Sequence, residues 1–238
     1  MTDSSFPETA DIESASADYA TRFAGEAGAW MLEVQTRELQ ASLQGLNSGG
    51  SALDVGGGHG QTEPVLREAG FTTLVTGSDP ICSERLEEGV AFEVANNVEL
   101  PYEARSKTLV ISFRLLTHCE RWPELIAELC RVADQRVVVD YPARLSVNMV
   151  ADLFFGMKKG VEKNTRTYRT FSHKELAAEF GRHGFGQLKR HPQFFFPMVL
   201  HRMLKNRKLS AALENLARFF LLTRFFGSPV VLEATRSK

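Results

Sequence analysis

Cysteine is scarce in this 238-residue chain: Cys82, Cys119 and Cys130 are odd in number and form no CxxC pair. That excludes a disulfide framework and a thiolate zinc site, and makes a reducing cytoplasm the expected compartment. Long apolar runs are missing too. None approaches the roughly 18 residues that a membrane span needs, and the longest, 194–200 and 219–226, are broken by Pro197 and Arg224. The amino terminus lacks the apolar core of a signal peptide. Excess charge of either sign is absent, the net being −1, so bulk electrostatics favours no partner. His173, His183, His191 and His201 are irregularly spaced, and no metal is expected.

The charge that is present is segregated. Residues 1–30 hold six acids against Arg22 alone, whereas residues 181–210 hold seven Lys or Arg and no acid. With 43% hydrophobic and 24% charged residues, the composition is that of an ordinary globular protein. No composition break argues for two domains. Residues 1–17, rich in Ser, Ala and acid, read as a flexible tail. Residues 18–238 read as one domain, opening with helices over 18–50 that Gly25 and Gly28 are expected to split.

From residue 51 to 142, short apolar strands alternate with helices, which predicts a parallel sheet covered on both faces. Ligands of such sheets sit at the carboxyl ends of the strands. The residues that carry chemistry fall there: Gly56 to Gly60, Asp79, Asn96, Phe113 and Asp140 each follow a strand. Glycines after a strand let the backbone turn sharply beside a ligand, and the next helix adds free N–H groups. A dinucleotide fingerprint needs Gly or Ala where Gln61 stands, so a nucleotide-cofactor oxidoreductase is the weaker alternative. An acid such as Asp79, one strand later, accepts the hydroxyls of a ribose but does not choose between cofactors.

The segment Leu53-Asp-Val-Gly-Gly-Gly-His-Gly60, with Asp54 ahead of a G-x-G-x-G run, resembles motif I of class I S-adenosylmethionine-dependent methyltransferases. Ala95-Asn-Asn-Val-Glu-Leu-Pro-Tyr102 resembles their "D-A-x-x-L-P-F" segment, with Asn96 in place of the acid that receives the adenine amino group. An amide oxygen can accept there as well. Lys107-Thr-Leu-Val110 departs from the usual "F-D-x-V". Phe113-Arg-Leu-Leu-Thr-His118 resembles the "x-x-x-L-x-H" stretch, and Glu128-Leu-Cys-Arg-Val132 the "E-h-x-R-V-h" helix. Tyr19-Ala-Thr-Arg-Phe23 resembles the "Y-x-x-R-F" helix that closes over the cofactor. The match is nearest to the small-molecule, quinone-type subgroup.

The resemblance implies a Rossmann-like seven-stranded, mostly parallel sheet with an antiparallel last strand. It implies S-adenosylmethionine as cofactor, held by Asp54, Gly56, Gly57, Gly58 and Gly60, with the ribose on Asp79 beside Pro80. The adenine would meet Asn96 or Asn97, and the methionine end Phe113, Tyr19 and Arg22. Arg22 reads equally as a solvated partner of its acidic neighbours. His118 is the candidate general base, or else a histidine that lines the cofactor; Tyr141 is a candidate for the acceptor pocket. The Asn/Asp-Pro-Pro-Tyr segment of enzymes that methylate base amines is missing, so a small-molecule acceptor is expected and nucleic acid is not. A non-catalytic module with this fold is the third reading.

Residues 143–170 fall where the family places a lid, with an apolar helix at 147–155 and basic residues after it. Ser172 and Glu175 form a capping box. Residues 201–226, before the last strand, read as a helical insertion with Arg202, Lys205, Arg207 and Lys208 at its start. Its leucines and phenylalanines either pack on the core or meet an anionic membrane or lipid-linked acceptor. Nothing in the sequence marks an oligomeric state.

Overall fold

A computed structural model describes residues 6–147 and 168–237. A seven-stranded sheet runs through it in the order β3-β2-β1-β4-β5-β7-β6. The strands are β1 Ser51–Val55, β2 Thr72–Gly77, β3 Ala91–Val94, β4 Lys107–Ser112, β5 Ala133–Tyr141, β6 Gln187–Pro192 and β7 Val230–Thr235. β1 to β5 pair in parallel, and β7 lies antiparallel between β5 and β6. The expected architecture, including the antiparallel last strand, is present.

Alternation along the central strands sends side chains to both faces. Leu53, Val55, Val110, Val137 and Val139 join one core with helices α5 (Trp122–Val132) and α6 (His173–Arg182). Ala52, Leu109, Ile111 and Val138 join the other, under α3 (Gly25–Ser42) and α4 (Glu63–Glu68). Half of the predicted capping box forms: the Glu175 N–H donates to Ser172 Oγ at 3.2 Å, while the Glu175 carboxylate pairs with Arg144 and Arg169.

Three expectations change. Where a tail was expected, α1 (Ala10–Ala15) packs on the molecule with Asp11, Ser14 and Ala15 buried. Its anchor is a buried carboxylate, which apolar periodicity does not reveal. Gly25 does separate α2 (Ala17–Thr21) from α3, but Gly28 lies inside α3. There it admits the Phe23 carbonyl so closely that any Cβ would collide with it. The insertion is three helices, α7 Met198–Leu204, α8 Arg207–Phe219 and α9 Leu222–Phe226, and its phenylalanines lie outside the core. The helix expected at 147–155 and most of the expected lid lie outside the described residues. Among the described residues, no helix is long and apolar enough to cross a membrane.

Candidate functional site

The strand order reverses between β1 and β4, and the crevice at their carboxyl ends is the natural ligand position. β1 runs into Gly56, whose φ of 71° favours glycine. The N–H groups of Gly56 and Gly57 both donate to the Thr76 carbonyl, at 3.0 and 3.2 Å, which ties the turn to β2. A Cβ on Gly57 would strike the Asp54 carboxylate, and one on Gly58 the Cys82 carbonyl. Asp54 itself is fully buried and accepts from the Thr62 hydroxyl at the start of α4. Burial pushes its carboxyl up to about 7. It braces the turn from beneath. Gly60, with a φ of 68°, closes the turn by donating to the Gly57 carbonyl at 2.9 Å.

At the end of β2, Asp79 is half-exposed and accepts from the Ile81 N–H at 2.9 Å, with exposed Pro80 beside it. After β3, the two asparagines differ. Asn96 Oδ1 is engaged by the Val98 N–H at 3.2 Å. Asn97 is buried, its Nδ2 donates to the Glu8 carbonyl at 3.4 Å, and its Oδ1 has no hydrogen-bond partner. A carboxylate for ribose hydroxyls and an unengaged amide oxygen for an adenine amino group fit an adenosine-bearing cofactor. Phe113 is fully buried in the core under α3 and α4, so its ring does not line the crevice.

Two groups of residues not singled out in the sequence converge here. The first belongs to the amino-terminal segment. Asp11 accepts from the N–H and the hydroxyl of Ser78, both at 2.6 Å, and its Cβ lies against Gly56. Glu8 accepts from the Arg121 N–H at 2.7 Å. The segment therefore lies across the ends of β1 and β2. Its acids were read only as tail charge, since their partners are distant in sequence.

The second group surrounds Arg114, just after β4. Its φ is 64°, and its N–H donates to Asp140 Oδ1 at 2.6 Å. Its guanidinium is buried, donates to Gln35 Oε1 at 2.8 Å, and stacks 4.3 Å from the Phe23 ring centre and 5.4 Å from that of Tyr19. Nη1 has no hydrogen-bond partner. Arg22 lies over the same Tyr19 ring at 4.5 Å and pairs with Glu13 at 3.5 Å. An arginine inside an apolar run at a strand end was the available signal.

His118, in a 3-10 turn over Leu116–His118, is half-buried with its ring 5.9 Å from Tyr168. His59 is buried and held neutral, first by desolvation and then by the positive Arg114 and Arg85. Tyr141 is buried with its ring edge on Phe171, so it belongs to the core and not to an acceptor pocket. Among the described residues, no cluster of His, Cys, Asp and Glu could hold a metal.

Residues 29–207 match the family model of a methyltransferase domain. No curated protein matches the sequence. Solved structures are similar in fold. The magnesium protoporphyrin IX methyltransferase of Synechocystis PCC 6803, with S-adenosylhomocysteine bound, is 18% identical with a TM-score of 0.62, over 92% of this chain and 94% of that one. A possible histamine N-methyltransferase of Thermotoga maritima is 15% identical with a TM-score of 0.65, over 97% and 100%. The 1,6-didemethyltoxoflavin-N1-methyltransferase of Burkholderia thailandensis, with its substrate and S-adenosylhomocysteine bound, is 17% identical with a TM-score of 0.55, over 87% and 79%. The chain belongs to the methyltransferase domain family and has the class I fold of S-adenosylmethionine-dependent methyltransferases.

Proposed function

We propose that this chain transfers a methyl group from S-adenosylmethionine to a small, lipid-like acceptor met at an anionic membrane surface. The observation that carries the acceptor class is the inverted packing of α8. That helix buries Ser210, Glu214 and Ala217 and turns Leu209, Leu216 and Phe219 outward. Phe220, Leu221 and Phe225 extend the exposed apolar ridge, and exposed Lys205, Lys208 and Arg224 flank it. Apolar surface rimmed by cations complements an anionic bilayer. The structural neighbours that act on porphyrin and toxoflavin precursors agree with a small-molecule acceptor.

The cofactor, when bound, supplies a methyl carbon activated by a sulfonium. In this reading Asp79 holds the ribose hydroxyls and the Asn97 amide oxygen accepts from the adenine amino group. The glycine turn at Gly56 gives close backbone approach, and Arg22 pairs with the methionine carboxylate. The protein's main work is alignment and exclusion of water. In the same reading His118 accepts a proton from an acceptor that must lose one. Because α1 lies across the crevice, the Asp11 contact to Ser78 has to open for the cofactor to enter.

Titration calorimetry with S-adenosylhomocysteine tests the cofactor, and sedimentation with phosphatidylglycerol vesicles tests the surface. We expect cofactor binding that tightens in Asp11→Ala, and vesicle binding that survives physiological salt in part. No heat with S-adenosylhomocysteine would end the methyl-transfer reading. Absence of vesicle binding at low and physiological salt would end the membrane reading.

A further inference from the structure

We propose that the acceptor carries an oxyanion, a carboxylate or a phosphate ester, and that the Arg114 guanidinium receives it. This rests on the methyl-transfer reading and names the chemistry of its second substrate. A buried guanidinium is costly unless its donors are engaged and its charge is answered. Arg114 is 5% exposed, yet its side chain has one hydrogen-bond partner, the neutral Gln35, and Nη1 has none.

The surroundings answer that charge only through space, from Tyr19 and Asp140, and neither side chain hydrogen-bonds the guanidinium. Arg22 and Arg85 both repel Arg114, and Arg202 in α7 repels Arg22 in turn. Against these stand Glu13, which pairs with Arg22, and Asp140, whose Oδ1 is engaged by the Arg114 backbone N–H. Burial raises the Asp140 carboxyl and the Arg114 charge lowers it again, so Asp140 answers part of that charge through space without a hydrogen bond to the guanidinium. Cofactor binding does not correct the imbalance. S-adenosylmethionine carries a sulfonium and an ammonium against one carboxylate, so it brings net positive charge into a positive site. Arg22 is available to that carboxylate, which leaves Arg114 for another anion.

The rings of Phe23 and Tyr19 flank the guanidinium, so the anion belongs on an apolar body. A planar guanidinium presents paired donors to a carboxylate or phosphate, which a neutral amide cannot match.

The test uses the full chain saturated with S-adenosylhomocysteine and titrated with octanoate, octyl phosphate and neutral octanamide. At least one anion should bind roughly ten-fold tighter than the amide, and the tighter of the two identifies the group. Arg114→Met should erase that preference while S-adenosylhomocysteine affinity stays within about three-fold. Arg85→Gln, an exposed change at a cation that acts on Arg114, should lower the preference by about three-fold and serves if Arg114→Met does not fold.

Equal affinity for octanoate, octyl phosphate and octanamide in the wild type would overturn the proposal, as would a preference that survives Arg114→Met. So would an Arg114→Met variant that weakens S-adenosylhomocysteine about ten-fold, because the guanidinium would then serve the cofactor's own carboxylate. A wild type that binds no S-adenosylhomocysteine would sink the methyl-transfer reading alone. The same anion titrations on the bare protein would still judge Arg114.

Discussion

Helices α5 and α8 are both strongly two-sided, and they face opposite ways. α5 points Leu125, Leu129 and Val132 into the core, all without solvent exposure. α8 points Ser210, Glu214 and Ala217 inward and leaves Leu209, Leu216 and Phe219 in solvent. The reason lies in what each helix covers. α5 covers an apolar sheet face. α8 covers the chain after β6, where the N–H groups of Phe195 and Phe196 need an acceptor. Glu214 supplies it at 2.9 Å to each, and pairs with His201 at 3.1 Å. In the half that carries the glycine turn, apolar residues make the sheet core and the polar candidates stand at the strand ends. In the insertion those roles are exchanged.

The largest effect expected is in α5. Leu129→Ala removes a fully buried side chain from a close-packed core and should cost about 2–5 kcal/mol in urea unfolding. The sharper comparison is Glu214→Ala. In an ordinary surface helix an acid-to-alanine change is nearly neutral; here it strands two backbone donors and should cost about 2–4 kcal/mol. A loss under about 0.5 kcal/mol would mean that α8 is not held by its polar face, and the contrast with α5 would fall.

In the cofactor half the polar change should act mainly on binding. Asp79→Ala removes a half-exposed carboxylate from the end of β2. It should weaken S-adenosylhomocysteine binding by roughly 1.5–3 kcal/mol in calorimetry, and loss of the Ile81 N–H bond should cost stability about 0.5–1 kcal/mol. Equal affinity in the variant would remove Asp79 from the ribose. An affinity loss matched by a stability loss would erase the division of labour between the two regions.

The same contrast separates what the sequence made legible from what it hid. The sheet was readable because each central strand is a short apolar run, and the crevice because Gly56 and Asp79 follow consecutive strands. Those are local patterns. The amino-terminal segment was misread because α1 is fixed by one carboxylate reaching Ser78, 67 residues away in sequence. Arg114 went unnoticed for the same reason, since its burial is made by Gln35, Tyr19 and Phe23 from other elements. For α8 the helical period was plain, but a period gives the axis of amphipathicity and not its sign. The sign came from the unpaired N–H groups that the helix had to cover.

The smallest effect on stability is expected from the change that matters most to the proposed surface. Phe219 and Phe220 are 79% and 61% exposed, so folding removes little of either ring from water. Replacing both by Ser at the end of α8 should move the unfolding free energy by no more than about 0.5 kcal/mol. On a bilayer the balance differs. Each phenylalanine that enters the acyl boundary gains roughly 1.5–3 kcal/mol, so losing two should weaken vesicle binding by at least about ten-fold. Lys205, Lys208 and Arg224 remain in the variant and should leave a residual binding that salt removes. Unchanged sedimentation with phosphatidylglycerol vesicles, together with a stability loss above about 1 kcal/mol, would place the rings in the fold. The apolar face of α8 would then be doing the same work as that of α5.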